Sequence, residues 1–217
     1  MDQAPVTMTE RQRVFADELL KSQAVKFGTF RLKLHERQPE APLSPIYVDL
    51  RVLQSYPDAL ETATLALAEL IESHQLTFSR YAAIPMAATP LVAVLSHLTR
   101  VPMITPREAK THGSAETING VFTPGETVLV IDDVVSQADS KLESIKVLKD
   151  QGLVVRDVAV LVDREQGGSA QLASAGYRLH AVLRLSQLLG YWNSTGALDA
   201  PTFLRVTDYF HNFNNFA

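Results

Sequence analysis

The chain has 217 residues, 46% of them hydrophobic and 20% charged, a balance that gives a packed core and excludes a disordered chain. Its formal net charge of −4 argues against partners that need a basic face, nucleic acid or an anionic membrane. It has no cysteine, so disulfides and thiolate metal sites are excluded, and a cytoplasmic protein is the simplest expectation.

Thr9–Gln23 is expected to be a helix, with Thr9 as cap, Gln12 three residues on, and Phe15, Leu19 and Leu20 on one face. Met1–Arg13 is polar and charged and lacks the apolar run of a signal peptide. Phe27–Leu34 alternates weakly as a strand does, His35–Ser44 is a polar, proline-containing loop, and Ile46–Leu50 is a second short strand. Ser55–His74 is a long amphipathic helix. From there strand and helix alternate. Tyr81–Ile84, Val101–Ile104, Thr127–Ile131, Val154–Val162 and Tyr177–Val182 are expected strands. Ala88–Leu98, Ser140–Asp150, Gly168–Ser174 and Pro201–Phe213 are expected helices, and Thr105–Gly120 is a polar stretch. Pro85 and Pro90 interrupt the most apolar region, Tyr81–Leu98, which does not read as a membrane span. The alternation implies an α/β fold with a parallel sheet, in which ligands bind beyond the carboxyl ends of the strands.

Three segments in such places carry chemistry. The apolar run Thr127–Ile131 leads into Asp132 and Asp133, then a short loop and a helix. Adjacent carboxylates suit the vicinal hydroxyls of a ribose, and a tight loop at a helix N-terminus suits a phosphate. On these residues alone, an acidic strand end that caps the next helix reads equally well. Val154–Val162 leads into Asp163, Arg164, Glu165, Gln166, Gly167 and Gly168, where an arginine is placed to clamp a carboxylate. Pro106–Gly113 is a polar loop with Arg107, Lys110 and His112.

In this order and spacing the segments resemble the type I phosphoribosyltransferases, most closely orotate phosphoribosyltransferase, including the form found in bifunctional UMP synthase. The resemblance runs from about Phe15 to the C-terminal helix. It implies a parallel-sheet, Rossmann-like type I phosphoribosyltransferase core at 53–217 and a small N-terminal hood at 1–52. It implies transfer of a phosphoribosyl group from 5-phosphoribosyl 1-diphosphate (PRPP) to orotate, in a homodimer, with Mg²⁺ held mainly by the substrate and no confident side-chain ligand. Asp132 and Asp133 would hold the ribose, and Ser136, Gln137, Ala138, Asp139 and Ser140 would line the 5-phosphate loop. Arg164 would take the orotate carboxylate, and Lys33, in the hood segment, would reach the substrate. Arg107, Lys110 and His112 would neutralise the departing pyrophosphate.

The chain departs from the family pattern on the phosphate side. Gln137, Ala138 and Asp139 stand where small, glycine-rich loop residues are usual. Pro106 replaces a loop arginine, and Met86 stands where lysine or tyrosine is usual. An alternative reading therefore accompanies the enzyme, that of a catalytically impaired relative that binds a nucleotide or pyrimidine or acts as a regulator. An RNA-binding regulator on the same fold fits the net charge least.

Overall fold

The structure is a computed structural model that describes residues 8–31, 34–37, 39–107 and 117–212. The first helix, α1 (Glu10–Lys21), opens on the expected capping box, with Thr9 Oγ1 accepting from Gln12 N–H and Gln12 Oε1 from Thr9 N–H. Next come β1 (Val25–Phe30), a single helical turn α2 (Leu34–Arg37) and β2 (Ser44–Val48). A 3-10 turn over Leu50–Ser55 leads into α3 (Pro57–Ser73). The rest follows as β3 (Arg80–Ala83), α4 (Ala88–Thr99), β4 (Met103–Pro106), β5 (Ile118–Asn119), β6 (Thr127–Val135) and α5 (Asp139–Asp150). It closes with β7 (Val154–Asp163), α6 (Gly168–Ser174), β8 (Arg178–Arg184), α7 (Leu185–Thr195) and α8 (Ala200–Asn212).

β1 and β2 pair antiparallel as a separate two-stranded sheet. The main sheet has six strands in the order β5-β4-β3-β6-β7-β8, parallel except for the β4–β5 pair. Alternation along β6 divides the core. Leu129 and Ile131 face a large cluster with α1, α3, α4 and α7, while Val128 and Val130 face a smaller one with α5. α8 packs on β2.

Three expectations need correction. The segment His35–Ser44 is not wholly loop, because Leu34–Arg37 form a helical turn before Pro39 and Pro42 bar its continuation. The strand begun at Thr127 runs on to Val135, since Val134 and Val135 still pair with Val162 and Asp163 of β7. Asp132 and Asp133 therefore lie inside the strand, not beyond it. Helix α7 was not expected, although Leu185, Leu188, Leu189 and Trp192 repeat at helical spacing on its buried face.

Candidate active site

The central strands β6 and β7 end together, and their ends are pinned by Arg164 N–H donating to Val135 O at 2.9 Å. A loop of Ser136, Gln137 and Ala138 then enters α5 at Asp139. Gly168 N–H donates to Ser136 O at 2.9 Å, which lays the start of α6 across this loop. The contact needs glycine: a Cβ on residue 168 would lie 2.5 Å from Val135 Cγ2 and 2.9 Å from Ser136 O.

Asp132 and Asp133 are both buried. Asp132 Oδ1 accepts Asp133 N–H at 2.9 Å, and Asp132 Oδ2 meets Lys141 Nζ at 2.6 Å. Asp133 Oδ1 accepts Val134 N–H at 2.7 Å. Burial, and then the charge of Asp132, push the Asp133 carboxyl up to about 7. Asp133 also lines a small cavity with Arg51, Ala87 and Pro90, so it faces the turn after β3. In that turn the Pro85–Met86 peptide bond is cis and Met86 is 85% exposed.

Along Gln137–Ser140, Gln137, Asp139 and Ser140 are exposed and Ala138 is buried. No side chain caps α5. The Ala138 N–H donates instead to Gln171 Oε1, on α6, at 2.6 Å.

Arg164 turns its guanidinium inward. Nη1 is 3.4 Å from Ser136 Oγ, while Nε and Nη2 are buried with no hydrogen-bond partner among the described residues. Burial pulls the guanidinium below its ordinary value, and the nearby Tyr209 and Tyr47 act in the opposite sense. Tyr209 comes from α8 and also bonds Ser44 of β2. The arginine is thus enclosed by the loop, the two-stranded sheet and the last helix. A buried guanidinium with unpaired N–H groups is a site for a planar anion, above all a carboxylate.

The structure therefore gathers Asp132, Asp133, Arg164 and the segment Ser136–Ser140 around one end of the sheet. Arg107 stands at the end of β4, beyond β3, and bonds Asn119 Oδ1 at 3.3 Å. Lys33, Lys110 and His112 lie outside the described residues. Among the described residues, no group of three or more His, Asp or Glu is placed to hold a metal.

No family model matches the chain. The bovine uridine 5′-monophosphate synthase is 38% identical over 185 residues, which are 85% of this chain and 37% of that protein. The orotate phosphoribosyltransferase of Thermoplasma volcanium is 33% identical over 175 residues, 81% of this chain and 99% of that enzyme. The chain belongs to the orotate phosphoribosyltransferase family. A solved UMP synthase from Leishmania donovani superposes with a TM-score of 0.81 at 34% identity, covering 93% of this chain and 42% of that one. The fold is accordingly the type I phosphoribosyltransferase fold expected from the sequence. The chain spans little more than a third of the bovine synthase it matches.

For an orotate phosphoribosyltransferase relative, sequence reasoning overlooked Lys141, Gln171 and Tyr209. Lys141 had a legible signal, since it falls on the inward stripe of α5 with Ile145 and Leu148, where a lysine is out of place. Gln171 and Tyr209 had none, because their contacts depend on how α6 and α8 dock.

Proposed function

We propose that the chain transfers phosphoribosyl from PRPP to orotate, giving orotidine 5′-monophosphate and pyrophosphate, a step of pyrimidine biosynthesis. The observation that carries this reading is Arg164, whose buried guanidinium keeps Nε and Nη2 unpaired beside the phosphate loop. Orotate supplies the matching carboxylate. Membership of the family supports the same substrates.

In this reading Arg164 fixes the orotate ring and the acid pair fixes the ribose. Ser136, Ser140 and the N–H groups of the first turn of α5 hold the 5-phosphate. Gln137, Ala138 and Asp139 complete that loop. With both partners held, the ring nitrogen of orotate bonds to the anomeric carbon as the bond from that carbon to pyrophosphate breaks, and the nitrogen's proton passes to solvent or to the departing pyrophosphate. Holding them in line accounts for much of the acceleration. Arg107, Lys110 and His112 offset the charge on the leaving pyrophosphate, and Lys33 reaches in from the hood side. The division into a hood at 1–52 and a core at 53–217 belongs to this reading.

The side chains fit a Mg²⁺ ion that arrives on the diphosphate. Lys141 already neutralises Asp132, so the acid pair is no all-protein magnesium site. Bound Mg²⁺ would supply neutralisation of the diphosphate. The reading includes a cytoplasmic homodimer with no nucleic-acid or membrane partner. No helix among the described residues is long and apolar enough to cross a membrane.

The test is a steady-state assay with orotate, PRPP and Mg²⁺, followed at the orotate absorbance. Turnover establishes the activity. Binding of orotidine 5′-monophosphate without turnover would establish the regulatory alternative, which nothing in the comparisons supports.

A further inference from the structure

Lys141 has no part in the roles above, yet its position is costly in two ways. It is the third residue of α5, in the first turn, where the helix dipole is positive and a cation is disfavoured. It also lies on the buried stripe with Ile145 and Leu148, so its ammonium has left bulk water. The ammonium meets Asp132 there, with side-chain exposures of 6% and 8%.

This contact makes the two acids unequal. Asp132 has both oxygens engaged, Oδ2 by Lys141 and Oδ1 by the Asp133 N–H. Asp133 has one oxygen on Val134 N–H, and its carboxyl lies against Asp132. Asp133 borders the cavity with Ala87 and Pro90, toward the turn after β3, while Asp132 is drawn toward α5. The charged groups facing Asp133 are Asp132 on its own strand, Lys141 on α5 and Arg51 on the 3-10 turn.

We infer that Lys141 is a positioning residue of the acid pair: it holds Asp132 inward with both oxygens engaged and leaves Asp133 as the carboxyl that meets the ribose hydroxyls. The inference rests on the phosphoribosyl-transfer reading for its ligand. Its electrostatic part stands on the unliganded chain. An ammonium in contact favours the ionised form of a neighbouring carboxyl, and its loss raises that group's proton affinity.

The experiment is a carbon-13 NMR titration of the aspartate carboxyls in the unliganded wild type, Lys141→Met and Lys141→Arg. Asp133 is expected to titrate near neutrality in the wild type. Lys141→Met is expected to raise the Asp133 titration, and Lys141→Arg to restore it. No change in the Asp133 titration on removing Lys141 overturns the inference. Lys141→Met leaves Asp132 as a buried lone charge, so thermal melts accompany each titration. If that variant does not fold, the kinetic comparison of Asp133→Asn with Asp132→Asn/Lys141→Met decides.

Kinetics give the second readout. Asp133→Asn should lose about 10-fold more kcat/KM for PRPP than Asp132→Asn/Lys141→Met, in which both members of the ion pair are neutral. Equal losses overturn the unequal roles. If the wild type transfers no phosphoribosyl group, the functional reading fails by itself, and the substrate-free titration still decides the role of Lys141.

Discussion

The N–H of Ala138 donates to Gln171 Oε1 at 2.6 Å, so a side chain of α6 occupies an amide donor of the very loop that should cradle a phosphate. Family loops rich in glycine present such donors to the ligand. Here one of them is already paired within the chain. Replacing Gln171 with alanine frees the donor and removes one net hydrogen bond. Gln171→Ala is expected to tighten PRPP binding about 2- to 10-fold, at a stability loss of about 1 kcal/mol. Calorimetry with PRPP and Mg²⁺ checks the first part and a urea melt the second. Weaker binding would mean that Gln171 orders the loop for the ligand.

Asp139 is the exposed first residue of α5, where its carboxylate meets the positive end of the helix dipole. A phosphate on the loop would compete for the same field. Asp139→Gly should tighten PRPP binding by about tenfold, which corresponds to about 1.4 kcal/mol, within the range of like charges at about 4 Å. Unchanged affinity in the same calorimetric titration would show that the Asp139 side chain points away from the phosphate.

Arg164 is expected to separate function from stability. Its buried guanidinium, with Nε and Nη2 lacking partners among the described residues, costs the folded chain free energy while it waits for a carboxylate. Arg164→Met should lower kcat/KM for orotate on the order of 100-fold, as expected for losing a hydrogen-bonded charge pair. The same variant should melt no lower than the wild type. A large fall in melting temperature with normal orotate kinetics would make Arg164 structural.

Asp133 predicts a pH dependence of stability. Its carboxyl is held up to about 7, whereas an unfolded aspartate titrates near ~4. Between these values the folded chain keeps a proton that the unfolded chain has released. Stability therefore falls as pH rises through that window, with a limiting slope of about 1.4 kcal/mol per pH unit. Asp163, raised by its burial, acts with the same sign. At Asp157 burial pushes upward, but Arg178 and His180 outweigh it and hold the carboxyl low, so its contribution is lost only in acid. Urea midpoints at pH 5 should exceed those at pH 7. Removal of the difference by Asp133→Asn assigns it.

Gly168 predicts the tightness of the α6 contact. A methyl group there would press on Val135 and on the Ser136 backbone. Gly168→Ala should destabilise the chain by about 1–3 kcal/mol, the usual cost of overpacking, and should weaken PRPP binding as the loop shifts. Thermal melts with and without PRPP check both.

Most of the scaffold was legible because its signals are local. The run Thr127–Ile131 is apolar enough to be a buried central strand, and Thr9 with Gln12 announces the start of α1. Arg164 and the loop before α5 stood out as candidates because they follow strands, and the acid pair because two carboxylates continue an apolar run. What sequence reading missed depends on docking or on competing signals. Leu185–Thr195 has a helical stripe, but Ser186, Gln187, Asn193 and Ser194 dilute it. The pairing of Lys141 with Asp132 needs α5 laid against β6, and that of Gln171 with Ala138 needs α6 laid across the loop. The partners lie 9 and 33 residues apart in the chain, beyond any periodic pattern.

Trp192 is the lone tryptophan, fully buried, with its indole N–H on Ala16 O and its ring edge-on to Phe27 of β1 at 6.0 Å. It therefore sits at the seam between α1, α7 and the two-stranded sheet. The protein carries its own fluorophore at that seam. Lifting of the small sheet would wet the indole and shift its emission to the red, whereas events confined to the phosphate loop would leave the emission unchanged. A ligand titration read at this one wavelength separates movement of the small sheet from filling of the phosphate site.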